Sequence, residues 1–150
     1  MTSGRLRFVV DASVGAKWFL PERDSDLARS LLVQRAAGQA QLIAPDLFPG
    51  EVANAVWKRC RLRQEINEVT AHEAMAELFA ALPEMVPSDS LVNQAFELGM
   101  QFRHPIYDCI YVALALREGC PLVTADRPLA ELFGPSTRHV MHLESLDLGG

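Results

Sequence analysis

The chain has 150 residues, 49% of them hydrophobic and 22% charged, the size and make-up of one globular domain spanning residues 1–150 with a core of its own. Its formal net charge of −5 excludes a protein that coats nucleic acid through bulk positive charge, so any nucleic-acid contact has to be local. The apolar run Ile110 to Leu116 is too short to span a membrane and Asp11 interrupts the first apolar run at once, which leads to the expectation of a cytoplasmic protein with no leader and no membrane contact.

In chain order, Arg7-Phe8-Val9-Val10 reads as a buried strand, and Asp11 follows at its carboxyl end with Ser13 beside it. Asp-Ala-Ser is equally a good helix N-cap. Leu27/Leu31 and Ala28/Leu32 then recur at i, i+4 as on a helix, and Gln41-Leu42-Ile43-Ala44 forms a second strand. A helix opens at Glu51 with Ala53, Val56, Trp57 and Cys60 as its apolar face, which puts Glu51, Asn54, Ala55 and Lys58 on the opposite one. Ala74/Leu78 and Met75/Phe79 mark a further helix, so two helices separate the second and third strands. Glu84-Met85-Val86 and, near the end, His139-Val140-Met141 are weaker strands, each following a helical segment and a breaker.

Ile106 to Leu116 is apolar around its whole circumference and predicts a helix buried on all sides, in which Asp108 is the lone charge before Arg117. Pro121-Leu122-Val123-Thr124 is a third strong strand, with Asp126 in the turn before a helix around Leu129 to Phe133. Alternating strands and helices without long linkers predict an α/β sandwich around a mostly parallel sheet. In such sheets ligands bind beyond the carboxyl ends of the strands.

Four carboxylates stand out against that frame. Asp11 and Asp126 follow strand ends, where each can also serve as a helix cap. A buried Asp108 needs a cation or donors, because the helix dipole contributes only about 0.3 to 1 kcal/mol. Glu51 alone would read as part of a solvated face. If the helix near Glu51 packs beside the first strand, all four converge at one pole of the sheet, and their mutual repulsion calls for a divalent cation. Mg²⁺ and Mn²⁺ prefer such oxygen ligands, and phosphodiester cleavage is the chemistry they serve without any nucleophilic side chain.

Val10-Asp11-Ala12-Ser13, Pro45 through Glu51-Val52-Ala53-Asn54, Tyr107-Asp108-Cys109-Ile110-Tyr111-Val112-Ala113-Leu114-Ala115 and Val123-Thr124-Ala125-Asp126 stand in this order. Together they resemble the PIN-domain family and, within it, the VapC-type toxins of toxin-antitoxin systems; the resemblance runs from about Phe8 to Phe133. It implies a three-layer α/β/α sandwich with a five-stranded sheet, Mg²⁺- or Mn²⁺-dependent endoribonuclease activity, homodimers, and inhibition by a small VapB-like antitoxin. It also implies that Asp11, Glu51, Asp108 and Asp126 are the acidic set, with Asp11 and Asp108 first in metal contact, and that Ser13, Asn54 and Thr124 orient carboxylates, water or metal. Some members carry a further acid after the last Asp. Here Arg127-Pro128 follows Asp126, so one divalent ion is expected and a second depends on RNA.

Lys58 and Arg61, in the densest basic run, are candidate RNA phosphate contacts on the Glu51 face, or else cations favouring a helix C-terminus. His72, His104, His139 and His142 show no metal-ligand spacing and receive no role; Trp18 and Phe19 are assigned to the core. Cys60, Cys109 and Cys120 read as reduced core thiols. An aspartyl-phosphate phosphatase is disfavoured because Ser13 stands where a second acid belongs. A phospho-receiver is disfavoured because Lys17 and Lys58 are the only lysines. A PIN ribonuclease of RNA processing without an antitoxin, or a non-catalytic PIN-like binding module, are the alternatives.

Overall fold

A computed structural model of the protein describes residues 4–147. Five strands, β1 (Leu6–Val10), β2 (Ala40–Pro45), β3 (Glu84–Val86), β4 (Leu122–Thr124) and β5 (Val140–His142), form one sheet in the order β3-β2-β1-β4-β5. Every pairing is parallel, as buried, β-branched runs joined by helical crossovers require. All five stand within a residue or two of where the sequence places them.

Seven helices connect the strands: α1 (Ala12–Phe19), α2 (Ser25–Ala36), α3 (Phe48–Trp57), α4 (Glu68–Ala80), α5 (Val92–Phe102), α6 (Ile106–Glu118) and α7 (Arg127–Thr137). Two steps from β1 through β2 to β3 run to one side of β1, and the next crossover returns to its other side at β4. Right-handed crossovers then place the helices before β3 on one face and those after it on the other. Packing agrees: α1 contacts α2, α3 and α4, while α6 lies on β1, β2 and β4, and Phe102 of α5 stacks on Phe133 of α7 at 4.7 Å between ring centroids. The result is a three-layer α/β/α sandwich. Where the crossover reverses, between β1 and β4, the two connections leave on opposite faces of the sheet, the position at which a crevice forms in such folds.

Two close approaches shape that crevice. A Cβ on Gly15 would come within 2.6 Å of the Phe48 ring and 2.9 Å of Val52, so a residue without a side chain lets α1 and α3 meet. On the opposite face, a Cβ on Gly99 would lie 2.4 Å from Ile106 Cδ1 and 2.9 Å from the His104 carbonyl; its absence permits the tight turn from α5 into α6, where Arg103 takes a left-handed φ of 57°.

Several sequence expectations shift here. The α3 helix begins at Phe48, with proline in its first turn, and its buried stripe is Phe48, Val52 and Val56 rather than Ala53, Val56, Trp57 and Cys60. The earlier start rotates the inward face by placing Phe48 against α1. Trp57 is left 51% exposed, and Ala53, Trp57 and Cys60 line a shallow apolar groove with Ala71 and Met75 of α4. Cys60 is accordingly only partly buried, while Cys109 and Cys120 are core thiols; all three are free. Trp18 lies in the core, its indole N–H donating to the Ala28 carbonyl at 2.9 Å. No helix among the described residues is long and apolar enough to cross a membrane.

Candidate active site

Asp11 is the first residue beyond β1 and the N-cap of α1, with an extended backbone (φ −101°, ψ 176°) that turns its side chain back over the helix start. Its Oδ1 accepts three hydrogen bonds: from the Ser13 amide at 3.1 Å, the Ser13 hydroxyl at 2.5 Å and the Val14 amide at 3.2 Å. The helix cap and the candidate site acid are therefore one and the same carboxylate. Ser13 Oγ also accepts from the Ala125 amide at 2.9 Å and lies 3.3 Å from Thr124 Oγ1. Thr124 Oγ1 in turn accepts from the Asp126 amide at 3.0 Å. These bonds stitch the end of β1 to the end of β4 across the point where the crossovers diverge.

Asp11 is only 7% exposed. Burial raises its pKa to about 6 from the ordinary 3.8, opposed by the Ser13 and Thr124 hydroxyls and the Val14 amide, with the Asp108 charge adding to the rise. Burial also raises Glu51, which again feels Asp108; Tyr111 opposes that shift by donating its hydroxyl to Glu51 Oε1 at 2.7 Å. The Tyr111 phenol is itself pushed far up by burial and then by Glu51, Asp11 and Asp108. Asp11, Glu51 and Asp108 thus share one electrostatic neighbourhood around a buried phenol. Tyr111→Phe is expected to raise the Glu51 pKa further, followed by carboxyl-carbon NMR titration. An unchanged Glu51 titration would show that the hydroxyl does not hold this carboxylate.

Asp108 differs from expectation. Helix α6 is buried continuously only from Cys109 to Ala115; in its first turn Tyr107 is 68% exposed and the Asp108 side chain 42%. In that turn Ile106 packs against the core while Tyr107 and Asp108 are left open to solvent. Nor is Asp108 alone, because His104 Nε2–H donates to its Oδ2 at 2.8 Å, with the His104 ring edge-on to Phe133 at 5.9 Å. The buried carboxylate of the site is Asp11.

The sequence assigns His104 no role in the acidic site and does not set Tyr111 apart from its apolar run. For Tyr111 the signal is available: Asp108 and Tyr111 stand at i and i+3 on α6 and so share a face, and a tyrosine inside a buried run needs a partner for its hydroxyl; His104 precedes Pro105 outside the helix, so no helical spacing announces it.

The other candidate positions are less closely tied. Asp126 caps α7 by accepting from the Leu129 amide at 3.2 Å and joins the network through its own amide. Asn54 is exposed one turn beyond Glu51. Among the described residues no three His, Cys, Asp or Glu side chains stand together as a ready-made metal cage. Lys58 lines a cavity that reaches Ser13, whereas Arg61 pairs with Glu68 beside the Trp57 groove, off the face of Glu51 and Lys58. The physical reason is a π turn over Lys58–Leu62, whose wider winding breaks the α-helical register after Lys58.

The PIN domain profile matches residues 8–133. Ribonuclease VapC3 of Pyrobaculum aerophilum is 39% identical over 131 residues, covering 85% of this chain and 95% of that protein. Ribonuclease VapC1 of Mycobacterium tuberculosis is 36% identical over 93 residues, covering 61% and 67%. The crystal structure of PAE2754 from Pyrobaculum aerophilum shares the fold, with a TM-score of 0.65 at 20% identity over 93% of this chain and 92% of that one. The chain belongs to the PIN-domain family, in its VapC-type branch.

Proposed function

We propose that the protein is a divalent-metal-dependent endoribonuclease and the toxin of a toxin-antitoxin pair. The observation that carries the reading is the sharing of one neighbourhood by Asp11, Glu51 and Asp108 at the crevice between β1 and β4. The names of the VapC relatives, each a ribonuclease, support the choice of RNA as substrate.

The donor set fits Mg²⁺ or Mn²⁺: it is all carboxylate and hydroxyl oxygen, and burial, with the Asp108 charge adding to it, raises Asp11 and Glu51, a cost that a cation offsets. No three-acid cage is needed, since Mg²⁺ keeps several waters and takes one or two carboxylates. Asp11 and Asp108 would hold the ion, with Glu51 and Asp126 as further acids. The chemistry such a cation would supply when held there is activation of a water toward the phosphodiester phosphorus and compensation of the scissile phosphate's charge.

The chain's own residues set up that chemistry. Ser13 and the α1 amides fix Asp11 by one oxygen, His104 holds Asp108, and Tyr111 orients Glu51 and favours its ionised form. Thr124 and Ser13 keep the β4 end, with Asp126, against the β1 end. In this reading Glu51, raised by burial and oriented by Tyr111, would accept a proton from the attacking water. A homodimer in the cytoplasm, restrained by a VapB-like antitoxin, completes the proposal.

Purified protein should cut single-stranded RNA in Mg²⁺ or Mn²⁺ and stop on addition of chelator; cleavage that survives chelation would remove the metal from the mechanism. Induced expression should arrest growth, and co-expression of the small gene product encoded beside it should relieve the arrest. Harmless expression of an active nuclease would remove the toxin role.

A further inference from the structure

A cavity of about 470 Å³ opens between α1, α3 and the π turn, and Ser13 and Ala125 form one of its walls. Ser13 is the residue whose hydroxyl donates to Asp11, so the cavity borders the candidate active site through this residue. Both of the chain's lysines, Lys17 and Lys58, line it together with Arg59, Arg63 and a single acid, Glu22. In a protein of net charge −5, this is the local positive surface that nucleic-acid contact would require.

The four cations are of two kinds. Lys17 lies 3.7 Å from Glu22, and Arg59 is tied to Glu22 and Glu65; these form the cavity's frame. Lys58 and Arg63 are exposed and make no ion pair among the described residues. The π turn is what brings these two together. Its i→i+5 bond from the Arg63 amide to the Lys58 carbonyl, 3.0 Å long, sets Arg63 beside Lys58, the place an α-helix would give to Arg61 or Leu62. Arg61 is turned away to Glu68.

We infer that this cavity is a phosphate subsite, in which Lys58 and Arg63 hold the RNA backbone next to the cleaved bond. The inference rests on the ribonuclease reading above. A strand lying at Asp11 continues past Ser13 into the cavity, where two unpaired cations meet it. An acidic protein segment has no such reason to begin at Ser13.

The test is binding of a cleavage-resistant 2′-O-methyl oligoribonucleotide, in Mg²⁺, to the full chain and to Lys58→Ala, Arg63→Ala, the double variant and Arg61→Ala. Both side chains are exposed, so melting curves should show each variant folded. The double variant should bind roughly tenfold more weakly, and its log–log salt slope should fall by about 0.7 for each cation removed. On cleavable RNA its KM should rise more than its kcat falls. A loss carried by Arg61→Ala instead of Arg63→Ala, or a double variant with wild-type salt slope and KM, overturns the subsite while leaving the ribonuclease intact. Weakened binding of an acidic peptide with RNA binding unaltered would assign the cavity to a protein partner and also overturn it. Wild-type protein that neither binds nor cuts RNA would instead overturn the ribonuclease reading, and the subsite with it.

Discussion

Asp11→Asn should remove RNA cleavage by on the order of 10³-fold or more and at the same time make the metal-free protein more stable at neutral pH. The two effects come from one charge. Asp11 has a folded pKa of about 6 against an ordinary 3.8, so between those values the folded state binds a proton that the unfolded chain releases. Stability associated with the protonated group is complete below the ordinary value and is lost as pH rises through about 6. Ionising Asp11 in its buried place therefore costs about 3 kcal/mol at pH 7, and an uncharged amide of the same shape avoids it. In chelator the variant should melt higher than wild type at pH 7.5 and alike at pH 4. A lower melting temperature at pH 7.5 would mean that the carboxylate is there chiefly as a helix cap.

Adding Mg²⁺ or Mn²⁺ should reverse that penalty in the wild type. An ion at about 100 times its Kd stabilises the folded state by about 2.7 kcal/mol, which for a chain of this size moves Tm by roughly 5–10 °C. The ion needs Asp11 ionised, so binding releases a proton, and affinity should weaken as pH falls from 7.5 to 5 through the Asp11 pKa of about 6. Calorimetry at pH 5 to 6, where Asp11 is still largely protonated, in two buffers of different ionisation enthalpy reads the released proton, and a melting series reads the stabilisation. Asp11→Asn and Asp108→Asn should both abolish the shift. Equal stabilisation of wild type and variants, or equal stabilisation at pH 5 and 7.5, would place the ion elsewhere.

Much of the architecture could be read along the chain because strands and helices are local patterns. Phe8-Val9-Val10, Leu42-Ile43 and Leu122-Val123 are continuous apolar runs, as strands covered on both faces must be. Asp11 and Asp126 follow such runs, and parallel topology makes strand ends into sites. The four motifs in their order sufficed to recognise the family.

Surroundings were harder to read, because burial depends on what comes from elsewhere in the chain. An apolar helix points to Asp108 as the buried charge, yet α6 is buried continuously only from Cys109 and leaves the Asp108 side chain 42% exposed beside His104. For Asp11 the sequence supports a helix cap and a site acid equally, and only the fold shows that it is enclosed to 7% exposure. The α3 face was misplaced because Phe48 and Gly15 decide which side turns inward.

By itself the sequence determined the alternation of elements, the strand ends that carry the acids, and the membership of the family, all of which rest on residues near one another in the chain. Only the tertiary structure decided which acid is buried, that Tyr111 orients Glu51 across 60 positions, and that a π turn sets Arg63, not Arg61, beside Lys58. Each of these depends on which segments meet, and no local pattern of side chains encodes that meeting.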